Sequence, residues 1–345
     1  MPPCHGGGHG FESRPGRHLL LWQATPVQIS NEFSSAFLSG AHPPKSQYPE
    51  FPDLLPLPVQ HLDVPWLDLG LVRISVLRAD LCDPLLSGNK YFKLRYNLAA
   101  ARLAGHDTLL SFGGAWSNHL HALAAAGQRF GFKTIGVVRG EPGQELNACL
   151  QDAQDLGMHL HFVPRSIYRE RHHPDWHAQL QEQFGPSFII PEGGANGYGV
   201  RGCQDLLSPA LAAQYSHVLL ACGTGTTMLG LISSIATPVL GVQVVKGNKY
   251  LEQEIREGLV RYGLEAVAPW QVLDQFHRGG YARTDVVLMQ SLDRLEADTG
   301  LPLEPVYTGK VFMALQALIA AGQFAAGSRI LVVHGGGLQG RRGFK

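Results

Sequence analysis

The sequence predicts an α/β protein built on two open, twisted, mostly parallel sheets flanked by helices. Two observations carry this. Short apolar runs alternate with helical patterns along most of the chain, and strands that alternate with helices are joined by right-handed crossovers into parallel sheets. Two Gly-rich breaks, around Lys90 and over Pro191–Gly199, then divide that rhythm into a small unit inserted in a larger one.

The elements follow in order. Residues 1–48 combine Gly6-Gly7-Gly8 with scattered Pro and Ser and no sustained apolar period, which predicts a poorly ordered extension. From Phe51 to Pro65 the Pro-rich segment reads as an extended strap, and Leu71–Leu77 alternates like a strand. A helical segment begins beside Lys90 and stops at Gly105. Strands are expected over Thr108–Phe112, Lys133–Val138, His159–Val163 and Ser187–Ile190, with helices at Asn118–Phe130, Glu145–Leu156 and Trp176–Phe184 between them. The rhythm resumes with strands at His217–Ala221, Pro238–Val245 and Arg329–Val333. These elements predict a large domain over residues 49–93 and 195–345 and a small inserted α/β domain over 94–194.

Composition narrows the function. A chain of 345 residues that is 45% hydrophobic and 16% charged can bury a substantial core. Its 28 basic and 28 acidic residues give zero formal charge with no like-charged run, which argues against a nucleic-acid or membrane partner and for a small neutral or zwitterionic ligand. No stretch reaches the roughly 18 apolar residues of a membrane span, and the expected location is cytoplasmic. Five cysteines without C-x-x-C spacing read as free thiols, and the 16 dispersed histidines as structural or solvent-exposed, so no metal site is expected. There is no G-x-S-x-G elbow and no H-E-x-x-H.

Six stretches could carry chemistry. In S-G-N-K-Y-F-K-L, Lys90 follows a small-Gly-Asn turn at a helix start; it is either a surface lysine or an amine lowered toward neutrality so that it can form an imine. In S-F-G-G-A-W-S-N-H, a strand runs through paired glycines into a helix start at Ser117-Asn118, which suits a carboxylate guest or plain N-capping by Ser117. In A-C-G-T-G-T-T-M-L-G, loop amides and three threonine hydroxyls suit a phosphate dianion. The dinucleotide alternative fits worse, because Met228 stands where a small residue is required and no acidic residue stands in the expected place. In E-P-V-Y-T-G-K, Tyr307 and Thr308 precede an Ala/Leu-rich helix that Thr308 could simply cap, and in H-R-G-G-Y a glycine turn presents Tyr281, an active group or an ordinary buried tyrosine. The glycines of V-V-H-G-G-G allow backbone to approach a ligand at a strand end.

Taken in this order, G-N-K-Y-F-K-L at 88–94, G-G-A-W-S-N-H at 113–119, G-T-G-T-T at 223–227, G-G-Y at 279–281 and P-V-Y-T-G-K at 305–310 resemble the aminocyclopropane-carboxylate deaminase and D-cysteine desulfhydrase family, fold-type II (tryptophan synthase beta-like) pyridoxal-phosphate enzymes. The resemblance covers most of residues 50–340. It implies pyridoxal 5'-phosphate as cofactor, Lys90 as the imine-forming lysine, Lys93 as a phosphate contact, and Gly223, Thr224, Gly225, Thr226 and Thr227 as the phosphate cup. By the same resemblance Asn118 bonds the cofactor's phenolic oxygen, Ser117, Asn118 and His119 receive the substrate carboxylate, and Tyr281 and Tyr307 flank the reacting centre. Thr308 takes the place facing the ring nitrogen, where cyclopropane-opening members carry a glutamate. A neutral hydroxyl there favours an unprotonated ring and hence β-elimination, so the resemblance implies a D-cysteine desulfhydrase-like lyase acting on a small amino acid, as a homodimer. The alternatives are aminocyclopropane-carboxylate deaminase and, in another class, a non-catalytic pyridoxal-phosphate-binding or carrier protein. Trp116 and Arg278 could narrow or charge the pocket.

Overall fold

In the computed structural model residues 56–344 are described, apart from residues 142, 144 and 248. The predicted extension 1–48 and the first part of the strap lie outside the described residues. In chain order the strands are β1 (Val59–Leu62), β2 (Arg73–Leu77), β3 (Thr108–Gly114), β4 (Lys133–Arg139), β5 (Met158–Val163), β6 (Phe188–Ile190), β7 (His217–Cys222), β8 (Val239–Gln243), β9 (Trp270–Leu273) and β10 (Arg329–Val333). They form a six-stranded sheet, ordered β1-β2-β10-β7-β8-β9, and a four-stranded sheet, ordered β5-β4-β3-β6. Every neighbouring pair is parallel except β1 with β2.

The patterns that predicted the strands also place them. Leu109, Leu110 and Phe112 of β3, and Ile330 to Val332 of β10, are fully buried, as a parallel strand covered on both faces requires. Each such side chain contributes about 1.5–3 kcal/mol by leaving water. The latter part of the strap is β1, an antiparallel edge strand bounded by Pro58 and Pro65, a position where proline's missing N–H costs no ladder bond. The strand expected over Leu71–Leu77 starts at Arg73, because Leu71 is in the preceding turn and exposed. β9 was not foreseen; its W-Q-V-L is too short to show a period.

The helices that frame the site are α1 (Asn89–Leu103), α2 (Asn118–Phe130), α3 (Ala148–Asp155), α4 (Pro174–Phe184), α5 (Gly197–Gln204), α6 (Thr226–Ile232), α7 (Tyr250–Arg261), α8 (Val286–Thr299) and α9 (Thr308–Ala320). α2 has the predicted bounds because Ser117 accepts the Leu120 N–H at its start and Gly131, at φ 68°, ends it in the left-handed region. The carboxyl ends of β3, β7 and β10 run directly into the glycine-rich stretches 113–118, 223–227 and 335–337, which is where an open parallel sheet presents a ligand crevice.

Candidate active site

α1 brings Lys90 in through a glycine. Gly88 has φ 69°, and a Cβ on it would stand 1.9 Å from the Gly335 carbonyl oxygen, so no other residue allows this approach. The closeness lets the Asn89 N–H donate to that carbonyl at 3.2 Å. Lys90 Nζ donates to Asn89 Oδ1 at 2.7 Å, and Asn89 Nδ2 donates to Thr227 Oγ1 at 3.0 Å. One amide therefore ties the lysine to the threonine loop. Burial, and next the positive charge of Lys93, bring the Lys90 amine down to about 7. An amine near that value is about half neutral at pH 7, and the neutral form can attack an aldehyde. One helical turn on, Lys93 is buried, donates to the Gly193 carbonyl at 3.1 Å and is also lowered by burial.

The threonine loop leaves β7 and enters α6 through Gly225, at φ 77°. Thr224 Oγ1 and Thr226 Oγ1 lie 2.9 Å apart, and Thr226 and Thr227 are buried. Loop amides and three hydroxyls converge here, a donor set suited to a dianion.

From the third strand end, Ser117 lines the cavity while its hydroxyl accepts the Leu120 N–H at 3.2 Å, so capping and cavity lining occur together. Asn118 Oδ1 accepts from Gln339 Nε2 at 3.0 Å, and its Nδ2 lies over Gly337, where a Cβ would come within 2.1 Å. His119 turns into the wall. Ser111 Oγ donates to the Ile190 carbonyl at 2.7 Å and sits 3.0 Å from His119 Nε2, so that nitrogen carries the ring proton while buried Nδ1 has no partner. Burial, then Lys90 and Lys93, hold this imidazole well below its usual range. Trp116 packs its indole on the C-terminal turn, where a Cβ at Gly343 would come within 2.7 Å of Cζ2.

The facing wall is the start of α9. Glu304, 1% exposed, accepts the backbone N–H groups of Val306, Tyr307 and Thr308. Burial raises its carboxyl against the pull of these donors. Tyr307 and Tyr281 meet with ring centroids 6.0 Å apart at 71°. Their phenols stand side by side, and Tyr281 donates to the Trp116 carbonyl at 3.4 Å. Burial pushes both phenols up, Tyr307 well above 10, so both are protonated donors. Thr308 is fully buried beside Glu304, and its Oγ1 makes no hydrogen bond of ordinary geometry.

These walls enclose a cavity of about 560 Å³. Every site residue expected from the sequence lines it except Thr308, which stands one residue behind the Tyr307 surface. Arg278 does not line it either; its guanidinium pairs with Asp285 at 2.6 Å. The sequence gives no role to Asn89, Glu304, Lys310 or Gln339, although Asn89, Glu304 and Lys310 lie inside quoted motifs.

A lysine with a strongly lowered amine opposite a ring of amide and hydroxyl donors, with glycines at 88, 336 and 337 where a Cβ would collide, fits a flat aldehyde cofactor that carries a phosphate. Fold and site thus define a lysine-dependent cofactor enzyme on an open α/β scaffold. The chain belongs to the pyridoxal-phosphate dependent enzyme family, whose sequence profile matches residues 67–336. It is 31% identical over 304 residues to a putative 1-aminocyclopropane-1-carboxylate deaminase of Thermotoga maritima, covering 83% of this chain and 95% of that one. It is 26% identical to a D-cysteine desulfhydrase of Serratia proteamaculans, over 77% of this chain and 86% of that one. A solved structure of an ACC deaminase homologue superposes with a TM-score of 0.70 at 25% identity, covering 87% of this chain and 96% of the other.

Proposed function

We propose that this enzyme removes a β-leaving group and the amino group from a small amino acid, as a D-cysteine desulfhydrase does, giving a keto acid, ammonia and, from a cysteine-like substrate, sulfide. When bound, pyridoxal phosphate supplies the electron sink for charge left on the substrate Cα. The chain supplies the rest. Lys90 holds the cofactor aldehyde and then accepts the Cα proton at Nζ, a task suited to an amine near 7. The loop at 223–227, with Lys93 close behind, holds the phosphate. Asn118 presents Nδ2, because Gln339 occupies its oxygen. The Ser117 loop receives the carboxylate, and the Tyr281 phenol, beside Tyr307, gives a proton to the departing sulfur as the Cβ–S bond breaks.

The observation that carries elimination over ring opening is Thr308. A neutral threonine, and no carboxylate, stands at this place just behind the Tyr307 surface, while the neighbouring Glu304 carboxyl is engaged by three backbone N–H groups and does not offer the ring a free negative charge. Deamination of a cyclopropane amino acid is the second reading, favoured by the paired phenols, which can protonate a carbon leaving group. Incubating the holoenzyme with D-cysteine, D-serine and 1-aminocyclopropane-1-carboxylate decides between them. Keto acid from the first two supports elimination, and keto acid from the cyclopropane alone rejects it.

Residues 94–194 as an inserted domain belong to the same proposal, supported by the four strands β3–β6 falling within them. So do homodimeric assembly and a cytoplasmic location; among the described residues no helix is long and apolar enough to cross a membrane.

A further inference from the structure

We propose that Lys310 is the positioning residue for Tyr281: its ammonium clamps the turn at His277–Tyr281 onto α9, so that one helix start carries Tyr307 and fixes the phenol beside it. This rests on the role given above to Tyr281. Lys310 is fully buried, and its Nζ donates to the carbonyls of His277 at 2.9 Å and Gly280 at 2.7 Å. A buried ammonium is costly unless its donors are met, and here two carbonyls of a single turn meet them.

That turn does not hold its shape unaided. Arg278 and Ala282 sit at φ 50° and 54°, in the left-handed region that favours glycine, beside Gly279 at 87° and Gly280 at 116°. Its internal bonds are the Gly280 N–H to the His277 carbonyl at 3.0 Å, the Gly279 N–H to His277 Nδ1 at 3.1 Å and the Arg283 N–H to the Gly280 carbonyl at 3.2 Å, and outside it Arg278 pairs with Asp285. Lys310 adds a donor to the His277 and Gly280 carbonyls, each already an acceptor within this strained segment, immediately before Tyr281. Position on α9 completes the geometry. Lys310 lies in the first turn of α9, its N–H donating to the carbonyl of the N-cap residue Tyr307 at 3.1 Å. The held turn delivers the Tyr281 ring to Tyr307 and its hydroxyl to the Trp116 carbonyl across the cavity. Glu304, Arg278 and Asp285 are the charged groups whose fields act on Lys310; burial outweighs them and lowers its amine to about 8.

The test is a double-mutant cycle on the holoenzyme with Lys310→Met, Tyr281→Phe and the pair. Lys310→Met should lower kcat about 100-fold with KM nearly unchanged, the loss that misplacing a reacting group produces. In the Tyr281→Phe background the same change should cost under about threefold, because the group it positions is gone. Lys310→Gln, which keeps an N–H2 donor pair, should recover part of the rate and carries the same cycle if the Met variant does not fold. Independently of turnover, amide exchange over residues 277–283 should rise in Lys310→Met while β7 and β10 stay protected. Additive rate losses in the cycle, or exchange that is unchanged in the turn or raised throughout the sheet, would overturn the proposal. Loss of activity in the wild type itself would reject the proposed function but leave the exchange result to decide the clamp.

Discussion

The starts of α1 and α9 face each other across one cavity, and each buries charge, yet they handle it in opposite ways. At α1, Lys90 and Lys93 are placed together with carbonyl and amide partners, and burial plus mutual repulsion drive the Lys90 amine down to about 7. At α9, Glu304 and Lys310 are each wrapped in backbone groups, the acid in three N–H donors and the lysine in two carbonyls. The first arrangement leaves a side-chain atom free to react. The second uses its side-chain atoms to shape loops and leaves the reacting groups to the tyrosines those loops carry. A buried charge is therefore a candidate for chemistry when its polar atoms are underused and for scaffolding when they are saturated.

Breaking the scaffold side should have the largest effect on stability. Glu304→Ala leaves three buried backbone N–H groups without an acceptor, at about 1–3 kcal/mol each, so denaturant unfolding should show a loss of several kcal/mol. Glu304→Gln keeps one oxygen and should lose less. A loss below about 1 kcal/mol for the Ala variant would mean that the turn before α9 holds without its acid.

On the reactive side the effects should fall on the cofactor rather than the fold. Asn89→Ala removes the amide that joins Lys90 to Thr227. Titration of the apoenzyme with pyridoxal phosphate should show affinity falling about tenfold, or ~1.4 kcal/mol, at nearly unchanged thermal stability. Unchanged affinity would reduce Asn89 to a helix-start residue.

The smallest effect, and the sharpest in sign, is on pH. Lys90 is neutral above about 7, so the rate of cofactor loading should rise through that value and level off above it. Lys93 is the second cause of the lowering, after burial. Lys93→Met removes a like charge, raises the Lys90 pKa and should move the midpoint of the loading profile to higher pH. A midpoint that stays or moves down would mean that the two amines do not repel across the turn.

The same contrast explains what the sequence disclosed. Glycine-rich loops and helix starts are local signals, so the bounds of α2 and β10 were legible, and each of the six stretches contributes at least one residue to the cavity wall. Lys90, the threonine loop and the two tyrosines followed from them, with the resemblance supplying their roles. Lys310 and Gln339 act on partners 33 and 221 residues away, and nothing local marks either. Glu304 bonds only to the next turn, yet its role depends on burial, which E-P-V-Y-T does not announce. Thr308 was expected at the cavity surface and lies behind it, because its side chain turns into the core beside Glu304. Arg278 looked like a pocket charge and is taken up by Asp285.

Lys93 and Lys310 are buried and Lys90 is half-buried beside or near the cavity, so the direct test is to ask which of them holds the cofactor. Borohydride reduction of the holoenzyme, followed by proteolysis and mass spectrometry, fixes the cofactor on its lysine. Its mass is expected on the peptide that contains Lys90, with the visible-edge absorption lost in Lys90→Ala. Attachment at Lys93 or Lys310, or an unchanged spectrum in Lys90→Ala, would contradict it.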